Sequence, residues 1–145
     1  MTVIATELLP RYVFWPKPCP YSGQEIREIF AKVRHFVDYD GTIAGPRFTP
    51  RPKLCGRPLA DFLSEEPFIV QTMNPEGARI FFRERHPELP QPVLIIVTPG
   101  FAFTDRKGRP DLGKDLAALG ISGVTVIDDL PPEGINAPGC TIVGP

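Results

Sequence analysis

The chain is predicted to be a single α/β domain, three layers thick, with a mostly parallel sheet and a Pro-rich, partly irregular N-terminal half. Three observations predict it. At 145 residues, with 42% hydrophobic and 23% charged residues, the chain has the size and composition of one globular domain. Residues 67–128 alternate short apolar runs with helix-like spacing, a β-α-β-α-β order that implies a parallel sheet with right-handed crossovers. The nineteen prolines are dispersed between apolar runs and act as punctuation, not as a low-complexity tract.

Residues 1–21 form an extended arm, in which Tyr12, Val13, Phe14 and Trp15 lie among Pro10, Pro16, Pro18 and Pro20. So apolar an arm has to pack, on its own domain or on a partner. Residues 22–66 hold a helix, a hairpin and a loop. Ser22 and Glu25 have the spacing of a capping box, and Ile26, Ile29, Phe30 and Val33 follow on one helical face. Phe36 to Tyr39 is a short strand, and Asp40-Gly41 is a hairpin-turn dipeptide from which Thr42 to Ala44 return antiparallel. Prolines exclude a central strand from residues 45–58, leaving a long surface connection. A short helix runs from Leu59 to Ser64.

Residues 67–145 form the α/β core. Phe68 to Val70 is a buried strand. Asn74 caps a helix with Pro75 at its first position, and Pro87 ends it. Val93 to Val97 is a strand covered on both faces. Asp111 to Leu119 is read as a helix, with Leu112, Leu116 and Leu119 on one side and Gly120 closing it. Val124 to Ile127 and Cys140 to Val143 are the last strands, the second at an edge.

A net charge of −1 gives no global pull toward nucleic acid or an anionic membrane. Three cysteines without a CxxC pair, and two distant histidines, provide neither a disulfide framework nor a zinc site. Reduced thiols, no secretory leader and no long apolar run lead to the expectation of a soluble cytoplasmic protein.

Candidate chemistry falls in three places. The segment Val37-Asp38-Tyr39-Asp40-Gly41-Thr42 resembles the nucleophile motif of haloacid-dehalogenase-like phosphohydrolases. The resemblance implies that Asp38 attacks phosphorus and Asp40 serves as acid and base. It also implies that Thr98 binds the phosphoryl group, that Lys107 or Lys114 neutralises its charge, and that Asp128 and Asp129 hold Mg²⁺. Asp40-Gly41 also has a sufficient explanation as a turn, and that is the favoured reading. Second, an open parallel sheet binds ligands beyond its strand carboxyl ends, which places Thr72, Asn74, Thr98, Gly100, Thr104, Asp128 and Asp129 together. The adjacent carboxylates of Asp128 and Asp129 repel, and a cation would relieve them. Third, the loop 47–57 carries Arg47, Arg51, Lys53 and Arg57 with no acid between Asp40 and Asp61, so it could contact phosphates while Phe48 stacks on a base.

Without a His-based acid/base pair, a nucleophile elbow, a phosphate loop or a metal motif, the leading expectation is a non-catalytic protein-binding or assembly module that needs no cofactor. Its partner, or a second copy, would dock on the aromatic and Pro-rich arm 10–20. The alternatives are a Mg²⁺-dependent phosphoryl hydrolase and a nucleic-acid-binding protein that uses the basic loop.

Overall fold

In the computed structural model, which describes residues 3–145, helices and strands mix around one six-stranded sheet. The arm enters through a 3₁₀ turn (Thr6–Tyr12) and contributes strand β1 (Val13–Trp15). Helix α1 (Gly23–Lys32) begins with the capping box: Ser22 Oγ accepts from the Glu25 amide, and the Glu25 carboxylate accepts from the Ser22 amide. Strand β2 (His35–Val37) is only three residues long. A two-stranded hairpin follows, β3 (Lys53–Leu54) with β4 (Arg57–Pro58), then α2 (Leu59–Glu65). Strand β5 (Phe68–Thr72) leads into α3 (Pro75–Ile80), capped by Asn74 and continued by a π turn to Arg85. After β6 (Leu94–Val97) come β7 (Gly100–Thr104), β8 (Pro110–Asp115), β9 (Thr125–Ile127), β10 (Ile135–Asn136) and β11 (Thr141–Val143).

The sheet order is β1-β6-β5-β2-β9-β11. All pairs are parallel except β1 with β6. Short as it is, β2 lies in the middle, with Phe36 opposite Ile69 on one side and Val126 on the other. Successive side chains of a strand point to opposite faces. Phe36, Ile69, Leu94 and Val126 therefore enter one apolar cluster with Ile26 and Phe30 of α1. Val37, Val70, Ile95 and Ile127 enter another, with Phe62 of α2 and Ala78 of α3. Both faces of the sheet are thus covered, which explains the near-continuous apolar runs.

Two local expectations are corrected. Residues 111–119 are not a helix: β8 pairs antiparallel with β7, and only Ala117–Leu119 make a 3₁₀ turn. The reason lies in the turn between them. Asp105 accepts from the Lys107 and Arg109 amides, and Gly108 takes a φ of 78°. This closes a hairpin before a helix can start. The crossover from β6 to β9 is accordingly a hairpin, not the second helix of a β-α-β-α-β unit. Asp40-Gly41 is a turn but not that of a hairpin, because the bridge between Asp40 and Ala44 is parallel and Tyr39 O accepts from the Ile43 and Ala44 amides. Residues 45–58 give no strand to the six-stranded sheet, and within that connection β3 and β4 pair as a separate two-stranded hairpin.

The arm packs on its own domain. β1 adds to β6, and Phe14 and Trp15 lie against the second apolar cluster. No helix among the described residues is long and apolar enough to cross a membrane.

Candidate functional site

The site is built by the carboxyl ends of neighbouring parallel strands. β2 ends at Val37, and the Asp38 amide continues its ladder by donating to Ile127 O at 2.8 Å. β9 ends at Ile127, and the Asp128 amide donates to Val143 O at 3.1 Å. The two aspartates therefore leave adjacent strands at the same level. Thr72 closes β5 on the other side of β2. A cleft of about 240 Å³ lies over these ends, lined by Asp38, Asp40, Thr72, Lys114, Asp128 and Asp129, with Met73, Leu112 and Leu130 at its rim.

Lys114 reaches the cleft from β8, which β7 holds on one side and β10 on the other. Its Nζ donates to Asp38 Oδ1 at 2.5 Å and to Asp128 Oδ2 at 2.9 Å, and all three side chains are buried. The remaining acceptor sites are also engaged. Asp38 Oδ2 accepts from Thr42 Oγ1 at 3.2 Å, and Asp128 Oδ1 accepts from the Leu130 amide at 3.0 Å. Gln71, fully buried in β5, donates from Nε2 to Asp128 Oδ2 at 3.0 Å and accepts from Thr98 Oγ1 at 3.4 Å. Among the described residues no buried side-chain nitrogen or oxygen lacks a partner, as a polar cluster in an apolar sheet requires.

Burial dominates the electrostatics of Asp38. Desolvation raises its pKa to about 7; Lys114 opposes the rise, and Asp128 and Asp129 add to it. Asp40, by contrast, is exposed, and Asn74 Nδ2 donates to its Oδ2 at 3.1 Å. Asn74 Oδ1 meanwhile accepts from the Gly77 amide, so one side chain caps α3 and orients Asp40. Gly41 has a φ of 78°, and a Cβ there would run into the Asp129 carboxylate. The turn after Asp40 thus needs glycine for its backbone and for its neighbour.

One oxygen each of Asp38, Asp128 and Asp129 lie within 4.8 Å of one another. Hard oxygen donors so spaced suit Mg²⁺, whose opposite ligands stand about 4.2 Å apart.

The structure therefore gathers Asp38, Asp40, Lys114, Asp128 and Asp129 in one cleft. Thr98 stands behind it, bonded to Gln71, and the threonine that lines the cleft is Thr72. Lys107 is at the tip of the β7–β8 hairpin, exposed and outside the cleft lining. Arg47 and Arg51 are exposed on the loop before β3, also outside it, and the Phe48 ring is covered by the Arg85 guanidinium at 5.0 Å. Gln71 was not singled out in sequence, although a polar residue inside the run Phe68-Ile69-Val70-Gln71-Thr72 is a visible signal. The rim residues Met73 and Leu130 carried no such signal. No protein-family model, curated protein or solved structure matches the chain.

Proposed function

We propose that this protein is a Mg²⁺-dependent phosphohydrolase acting on phosphate monoesters through a covalent aspartyl-phosphate. The observation that carries the proposal is the convergence of Asp38, Asp128 and Asp129 around a common point, with Lys114 bound to two of them. Clustered carboxylates with a single lysine are costly to bury. A metal and a phosphoryl group would use that arrangement. The binding-module expectation rested on the lack of a His-based acid/base pair, a nucleophile elbow, a phosphate loop and a metal motif in the sequence. On this proposal the sheet, with apolar clusters on both faces, is the middle of a three-layer domain whose carboxyl edge carries the site.

Asp38 is the nucleophile. One of its oxygens forms a bond to phosphorus as the bond from phosphorus to the ester oxygen breaks, and Asp40 gives its proton to the departing alkoxide. Asp40, now ionised, takes a proton from water, whose oxygen attacks the aspartyl-phosphate. The acyl-phosphate bond breaks, inorganic phosphate leaves and the Asp38 carboxylate is restored. Exposure suits Asp40 for exchange with leaving group and water, and Asn74 fixes its position. Lys114 offers its ammonium to the phosphoryl oxygens. The Thr72 hydroxyl accepts from the Asn74 amide at 2.9 Å, which leaves its proton free to donate to a phosphoryl oxygen. Asp38, Asp128 and Asp129 would hold Mg²⁺, which when bound neutralises phosphoryl charge.

Turnover of acetyl phosphate in Mg²⁺ and in EDTA tests this. Hydrolysis that requires the metal, and that falls at least about a thousandfold in Asp38→Asn, is expected for loss of a nucleophile. Equal rates in the two proteins, or none in the unmodified one, would refute it.

A further inference from the structure

The cleft continues upward into an apolar rim. Leu112 lies two residues before Lys114 on β8, so the two side chains share a face of the strand, and Lys114 faces the cleft. Met73 directly follows Thr72, and Leu130 donates its amide to Asp128. All three side chains line the same cavity as the carboxylates. Met73 is 44% exposed and Leu112 66%, and they are two of the four exposed large apolar residues in the described chain. A folded domain hides such side chains where it can, so two at the mouth of a polar cleft mark a contact surface.

Charge narrows the class further. Among the described residues the lining carries four aspartates against Lys114, and Lys114 is already paired with Asp38 and Asp128. No cation in the lining remains for a second anionic group. At about 240 Å³ the cavity is below the roughly 300–1,000 Å³ of pockets that enclose a drug-sized ligand. It accepts a phosphoryl group and the first atoms beyond it, and the rest of the substrate lies on the rim.

We infer that the substrate is a phosphate monoester whose organic group is uncharged and apolar next to the phosphate, and that this group packs on Met73, Leu112 and Leu130. The inference rests on the phosphohydrolase proposal and deepens it.

The test compares phenethyl phosphate with glycerol 3-phosphate, both alkyl esters of similar leaving-group chemistry, and includes acetyl phosphate as a substrate without a group for the rim. The intact protein is expected to favour phenethyl phosphate in kcat/KM on the order of tenfold, the scale of a few apolar contacts. In Leu112→Ser and Met73→Ser that ratio falls toward one, and Leu112→Met restores it. Leu112 is exposed enough that its replacement leaves folding intact. Turnover of acetyl phosphate with no preference for phenethyl phosphate, or with a preference indifferent to both serines, overturns the inference and spares the hydrolase. Failure on all three phosphates removes both.

Discussion

At the residue scale the site turns on Lys114 and the two buried aspartates it joins. Removing one charge of such a cluster leaves the others uncompensated, so the three act as a unit. Asp38 has a pKa of about 7 when folded, against about 3.9 for an unfolded aspartate. The folded protein therefore holds more protons at this position between those values, and its stability falls as pH rises through the window. Urea unfolding at pH 4.5 and 7.5 in EDTA is expected to show unmodified protein losing stability relative to Asp38→Asn as pH increases; parallel curves would refute the raised pKa. Gln71 acts through Asp128, which it holds in place. Replacing it with leucine is expected to raise the Mg²⁺ concentration for half-maximal turnover by about ten- to a hundredfold, the usual cost of losing a partner that orients a metal ligand. A fall in kcat with the metal requirement unchanged would contradict that role. Asp38, Asp40, Asp128 and Asp129 are legible in sequence as pairs following apolar runs. The choice between Lys107 and Lys114 is not, because both lie in one hairpin and only its register decides which faces the strands.

At the element scale the hairpin of β7 and β8 delivers the lysine. A Cβ at Gly113 would meet Gly134 O and the Phe101 ring, so the strands are close only because that position is bare. Gly113→Val is expected to displace the adjacent Lys114 and lower turnover by two orders of magnitude or more, whereas Ser22→Ala, which removes the cap of α1 outside the cleft lining, costs about 1 kcal/mol of stability and leaves turnover unchanged. Denaturant melts and acetyl phosphate assays on the two variants check this; equal effects on turnover would deny the hairpin its role. The capping box at Ser22 and the cap at Asn74 are legible because they are local hydrogen-bond patterns. The hairpin was not, since Leu112, Leu116 and Leu119 have helical spacing. Leu112 proves exposed, while Gly108 turns the hairpin at a φ of 78° and Gly113 is a poor helix former inside the apparent helical face.

Across the whole molecule, sheet order makes the site. Asp38 and Asp128 are ninety residues apart in sequence and adjacent in space because β2 and β9 are paired. Asp40 and Thr72 join them because β5 flanks β2 on the other side. The alternation of residues 67–128 pointed to a parallel sheet. It could not show that three-residue β2 is central, because pairing partners so distant leave no local pattern. A metal that binds only the folded arrangement stabilises it by mass action, by about 2.7 kcal/mol at a hundred times its Kd. Mg²⁺ is therefore expected to raise the Tm, and Asp129→Asn to diminish the rise.

The most direct measurement is acid-quenched trapping of protein mixed with acetyl phosphate and Mg²⁺, followed by peptide mass mapping. A phosphoryl adduct on Asp38 that disappears in Asp38→Asn and accumulates in Asp40→Asn is predicted, because the second step loses its base. Metal-dependent turnover with no adduct, or an adduct on any other residue, would contradict Asp38 as the nucleophile.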